Sequence, residues 1–166
     1  PIGSRGLGDV YKRQYLYERK LNSILDGNIS WRNDYDEGFY ITPGGVRKCD
    51  LSGCDMVYID KDFKQHNGTA SRELMFHSNI MKQSPGAKFI VHCHPPNSIA
   101  FCGLKKDDHR ELYDLKLLFP ELSINVGPNV SYLAAGSVQL ADSVSSHVQG
   151  FDLSLIHISE PTRPYW

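Results

Sequence analysis

The chain has 166 residues, a formal net charge of -1 at pH 7 and a hydrophobic share of 40%, which suits one globular domain with its own core. The longest basic run, Lys105-Lys106, is followed at once by Asp107-Asp108, so no tail or stripe marks a nucleic-acid binder. No apolar stretch approaches the roughly 18 residues of a membrane span, and neither nucleic acid nor membrane is expected as a partner.

Residues 1–14 (PIGSRGLGDVYKRQ) lack the apolar h-region of a signal peptide. They look like translated sequencing-adapter read-through, as do residues 153–166 (LSLIHISEPTRPYW). The natural segment is therefore expected to be 15–152, cut at each end, and His157 is set aside as a ligand. Within it, Leu16, Leu21, Ile24 and Leu25 fall near one face of a helix over 16–25 that Asp26-Gly27 ends. GNISWRND (27–34) reads as a strand. GFYIT (38–42) is a second, running into the tight turn Pro43-Gly44-Gly45, and DMVYID (55–60) is a third with a polar turn after it. Ser71 is expected to cap a helix over 72–83, which Ser84-Pro85-Gly86 closes, and 88–94 returns as a buried strand. A helix near 109–118 with Pro120 behind it, a strand near 131–134 and a helix over 137–148 complete the series. This alternation predicts an α/β domain with helices packed on a sheet, and the short turns favour mixed or antiparallel over purely parallel pairing. The cysteines, Cys49, Cys54, Cys93 and Cys102, form no CxxC pair and read as reduced thiols of a cytoplasmic protein.

FIVHCHPPNSIAFCG (89–103) breaks an apolar run with two histidines. Alternate side chains of a strand share a face, so His92 and His94 would point the same way, about 6.5–7 Å apart along the backbone, with Cys93 opposite. Two imidazoles so placed can converge on one zinc ion, and Pro95-Pro96 would stop the strand where solvent and substrate reach it. The pattern equally suits two strand-end histidines bonded to backbone or water. Glu73 and His77, four apart, share one helical face, and Glu73 falls in the first turn, where the helix dipole favours a negative charge. Alone, Glu73 reads as a solvated or capping carboxylate; beside a His-x-His strand it is a candidate base or metal ligand.

The ordered set GNISWR (27–32), ITPGGV (41–46), DMVYID (55–60), SRELMFH (71–77) and VHCHPPNSIA (91–100) resembles the class II aldolase/adducin family across essentially all of 15–152. Residues 119–148 are similar to the family segment that leads to a final His-Gly turn. The resemblance implies a three-layer α/β/α fold with a central mixed, largely antiparallel sheet. It implies Zn2+ or another divalent metal, with His92 and His94 as ligands and Glu73 as the catalytic acid/base that can also ligate. A metal chelating a ketose's carbonyl and hydroxyl oxygens would stabilise an enediolate. Glu73 would then work best with its pKa raised toward neutrality.

By the same resemblance the phosphate of a small-molecule sugar phosphate is bound at three loops, matching Gly27 and Asn28, Gly44 and Gly45, and Ser71 and Arg72. Glycines let the backbone approach, and a helix start near Ser71 offers free N–H groups. Many members carry a hydroxyl residue where this chain has Gly44, and a second serine at Arg72. An arginine there can still grip a phosphate or a sugar carboxylate in bidentate fashion. Members complete the zinc site with a third histidine just past the natural segment, so it is expected to be missing, with His147 a poor substitute. The implied activity is that of the intact parent, expected as a homo-oligomer, a tetramer, and the activity of this segment by itself is left open. Three readings follow: a zinc-dependent aldehyde-lyase cleaving a phosphorylated or acidic sugar by retro-aldol chemistry, a sugar-phosphate 4-epimerase, or a non-catalytic adducin-like binding domain. Tyr113, Tyr132 and Trp31 are expected in packing roles and His109 in solvent.

Overall fold

The computed structural model describes residues 14–32, 34–35, 37–47, 50–102, 130–131, 133–148 and 150. Five short strands, β1 (Asn28–Trp31), β2 (Phe39–Ile41), β3 (Val57–Ile59), β4 (Gln65–His66) and β5 (Phe89–His92), form one sheet in the order β4-β3-β2-β1-β5. Every pairing between these strands is antiparallel, so the mixed element of the expected sheet is not seen among the described residues. Helices α1 (Leu74–Gln83), α2 (Pro96–Cys102) and α3 (Val138–His147) accompany them, with a short helix over 14–18 and a 3-10 turn at Gly53–Asp55.

The register decides what faces the helices. Asn28 pairs with His92 and Ser30 with both Ile90 and Ile41, so these side chains share a face with Phe39, Val57 and Ile59 further along the sheet. On that face Phe39, Ile41, Val57 and Ile59 pack with Ala70 and with Met81 of α1. Burying side chains of this size contributes about 1.5–3 kcal/mol each. The other flank of α1 places Phe76 and Ile80 against Leu140, Ala141 and Val144 of α3, with Val130. Arg32 ties the end of α1 to the sheet by donating to the carbonyls of Met81 (3.0 Å) and Pro85 (2.8 Å). On the opposite face Trp31 stacks on Tyr40 at 4.7 Å, which fits its expected packing role.

Several boundaries differ from the sequence expectation. The first helix covers only 14–18, and the chain turns at Lys20, whose φ of 57° is left-handed. Ser71 does not cap α1: Glu73 occupies the N-cap position, while Ser71 closes a turn before it by accepting from Leu74 N at 3.0 Å. Strand β5 stops at His92, because His94 N leaves the ladder to donate to Leu21 O (2.9 Å) and Asn22 Oδ1 (2.9 Å). Pro96 does more than break the strand. It opens α2, where its missing N–H costs nothing. Strand β4 and helix α2 were not expected, and in place of a strand at 131–134 there is an isolated bridge at Val130. Helix α3 starts as expected, with Ser137 Oγ accepting from Leu140 N at 3.1 Å. The helix near 109–118, His109, Tyr113 and Tyr132 lie outside the described residues. Among the described residues no helix is long and apolar enough to cross a membrane.

Candidate active site

Three elements deliver the predicted cluster. Glu73 stands at the start of α1, His92 at the end of β5, and His94 two residues on, pinned by its backbone to Asn22. Glu73 Oε2 accepts from His92 Nδ1 at 2.5 Å and from Asn28 Nδ2 at 2.6 Å. The rings of His92 and His94 lie with centroids 4.7 Å apart. Phe76 forms an apolar wall, its ring 5.1 Å from His77 and 5.5 Å from His92. The structure thus brings together all three residues proposed for metal and proton chemistry.

Hydrogen-bond polarity fixes the protons. A carboxylate only accepts, so His92 carries a hydrogen on Nδ1, and Nε2 is the ring nitrogen turned away from Glu73. Asn28 turns its N–H to Glu73 and its Oδ1 to His77 Nε2, which therefore donates. His77 Nδ1 then accepts the Ser30 hydroxyl at 2.6 Å. Ser30 and His77 are fully buried.

Burial alone would raise the Glu73 carboxyl above the usual range, but the hydrogen bond and charge of His92, with the Asn28 amide, outweigh it and hold the group at about 2. This is opposite to the expected rise toward neutrality, because a donor sits directly on the carboxylate. His77 is held down to about 3, mainly because burial penalises its charged form and His92 opposes a second positive charge nearby. Burial also pushes the Cys93 thiol up, consistent with an inert reduced cysteine.

The three glycine and serine loops meet through Thr42, a residue the sequence reading passed over. Thr42 Oγ1 accepts from Ile29 N (3.2 Å) and its carbonyl from Ser71 N (3.0 Å), joining the strand after Gly27 to the turn before α1. Gly44 N donates to Thr69 O at 3.1 Å, and a Cβ at Gly44 would stand 3.0 Å from Ala70 O, so this glycine permits close approach of two backbones. Gly45, with φ of 70°, faces open space. Arg72 is exposed. Gly27 is spent on packing: its φ is 71°, and a Cβ there would meet Asn22 at 2.5 Å and His92 O at 2.6 Å. The Asn28 side chain, expected at a phosphate, is committed to Glu73 and His77. His147 Nδ1 donates to Ser143 O at 2.6 Å within its own helix.

Among the described residues no group of three or more His, Cys, Asp and Glu side chains is arranged to hold a metal ion. Glu73 and His92 stand instead hydrogen-bonded to each other, with the ring of His94 against that of His92. Their donor set nevertheless suits a zinc-type ion: two imidazoles and a carboxylate, with the ring of His92 oriented through Nδ1 as metal-ligating histidines commonly are.

Residues 10–157 match the family of class II aldolase and adducin N-terminal domains. An L-fuculose phosphate aldolase of Methanococcus maripaludis is 33% identical over 136 residues, spanning 81% of this chain and 71% of that protein. A 5-methylthioribulose-1-phosphate/5-deoxyribulose-1-phosphate aldolase of Escherichia coli is 27% identical over 130 residues, spanning 78% and 58%. The solved L-fuculose-1-phosphate aldolase of Thermus thermophilus superposes with a TM-score of 0.66 at 23% identity, covering 92% of this chain and 73% of that one, a likeness of fold.

Proposed function

The chain belongs to the class II aldolase and adducin family, and from that premise we propose that Glu73, His92 and His94 form the working site of an aldehyde-lyase acting on a sugar phosphate. The observation that carries the reading is the contact of Glu73 with His92, 19 residues apart in sequence and on different elements, beside the ring of His94. Such a cluster costs stability to desolvate and is unusual unless it has work to do.

His92, through Nε2, and His94 would hold a zinc-type ion. When bound, that ion supplies Lewis-acid stabilisation of the negative charge that develops on the ketose oxygens as the C–C bond breaks. Glu73, kept ionised, takes up the substrate proton; its Oε2 holds the two N–H donors, and Oε1 receives neither. Phe76 keeps water from one side of the cluster. The Ser71 hydroxyl, beside the Pro43 to Ala70 bridge, would meet an anion together with exposed Arg72.

The test loads the chain with Zn2+ and incubates it with L-fuculose 1-phosphate, the sugar phosphate in the name of the solved Thermus thermophilus protein. Release of an aldehyde and a three-carbon keto-phosphate, lost in Glu73→Gln, supports the lyase. An inverted stereocentre without fragments would instead support an epimerase, and a chain that neither takes up a divalent ion nor alters the sugar would refute both.

A further inference from the structure

We propose that His77 is a positioning residue of this site, acting through Asn28, whose carboxamide it locks in the orientation that aims an N–H at Glu73. The inference rests on reading Glu73, His92 and His94 as the working cluster. A carboxamide has two nearly isosteric orientations, related by exchange of its oxygen and nitrogen. The wrong one would set a lone pair against the Glu73 carboxylate, where the right one makes a 2.6 Å hydrogen bond. His77 makes the choice, because its Nε2–H meets Asn28 Oδ1 and offers nothing to an amide N–H. Ser30 in turn fixes His77, its hydroxyl donating to Nδ1 at 2.6 Å. Ser30 and His77 are fully buried, and Asn28 is nearly so, which removes bulk water as a competing partner. All three donors point the same way, from Ser30 to His77 to Asn28 to Glu73, so each bond polarises the next. The register supplies the geometry: Asn28 and Ser30 alternate onto the face that carries α1, and Asn28 lies directly across from His92.

A satisfied core histidine would stabilise the fold without steering Glu73, and the experiment separates the two roles. In the full 166-residue chain without metal, two-bond proton–nitrogen correlation should show His77 protonated on Nε2 and His92 on Nδ1, with a slowly exchanging Asn28 side-chain amide. His77→Gln keeps an N–H near the position of Nε2 and should retain both the Asn28 signal and the zinc affinity. His77→Asn is too short to reach Asn28; it should speed exchange of that amide and weaken the zinc Kd by roughly 10- to 100-fold, as loss of a group supporting a metal ligand does. Placed on Asn28→Leu, His77→Asn should weaken zinc no further. A wild-type His77 protonated on Nδ1, an Asn28 amide unmoved by His77→Asn, or fully additive losses in the double variant would overturn the proposal. A wild-type chain that takes up no zinc would sink the metal reading instead, and the metal-free spectra would still decide whether His77 holds Asn28. Those wild-type spectra also decide it should His77→Asn not fold.

Discussion

Replacing Gly27 by alanine should cost far more than replacing Gly45, although the two glycines have almost the same backbone conformation, with φ of 71° and 70°. At Gly45 nothing lies within 4 Å of the added methyl, so only the left-handed conformation is penalised. That amounts to about 1–2 kcal/mol. At Gly27 the methyl would sit 2.5 Å from Asn22 Nδ2 and 2.6 Å from His92 O. The Asn22 amide can swing away only by giving up its bond to His94 N, and the His92 carbonyl belongs to backbone. Overpacking of this kind adds about 1–3 kcal/mol, for a total near 2–5 kcal/mol. Equilibrium urea denaturation of both variants reads the difference, since an m-value of about 1–3 kcal/mol/M turns 2 kcal/mol into a midpoint shift of roughly 1 M. Zinc titration reads the consequence, because whatever moves the His92 carbonyl moves the histidine pair; Gly27→Ala should weaken binding and Gly45→Ala leave it. Equal destabilisation by the two alanines would show that Gly27 is needed only for its φ and that the packing argument is wrong.

Stability should fall on acidification, because the folded-state pKa of His77 is depressed to about 3: the contribution is complete above about 6.5 and is lost as pH drops toward 3. The slope is about 1.4 kcal/mol per pH unit, and Glu73, depressed to about 2, adds a second loss beginning below about 4.5. Urea midpoints taken at about pH 7 and about pH 5 check this, and an unchanged midpoint contradicts a buried neutral ring. His92→Ala or His94→Ala should abolish zinc uptake measured by metal analysis of the dialysed chain, and unchanged content in both would disprove their role as ligands. Arg32→Ala, which strips donors from the Met81 and Pro85 carbonyls, should cost about 1–2 kcal/mol in the same denaturation assay. Ser137→Ala, which removes the cap from Leu140 N, should cost about 1 kcal/mol and fray α3, and a helix signal and midpoint equal to wild type would count against the cap.

What could be read from the sequence was what local periodicity encodes. The strand alternation in FYI and VYI, the helix over 74–83 and the cap at Ser137 need no knowledge of distant residues, and the structure has each within a few positions. His92 and Glu73 were recognisable as chemistry because their neighbours are odd for a purely structural segment. The partners that decide their behaviour were not. Asn28 and His77 are 49 residues apart, and only the sheet register together with the docking of α1 makes them meet. Gly27 looked like a phosphate-loop glycine because the residue type is the same whether a backbone must approach a ligand or its own neighbour.

The direction of the Glu73 shift follows from the same long-range contacts. A buried carboxyl would be expected to titrate high, and burial does push Glu73 in that direction. A single oxygen accepting from both an imidazole and an amide reverses the balance, because each donor stabilises the ionised form directly. On the proposed reading the carboxylate would therefore act as a base, with the Asn28 to His77 bond holding one of its two donors in place.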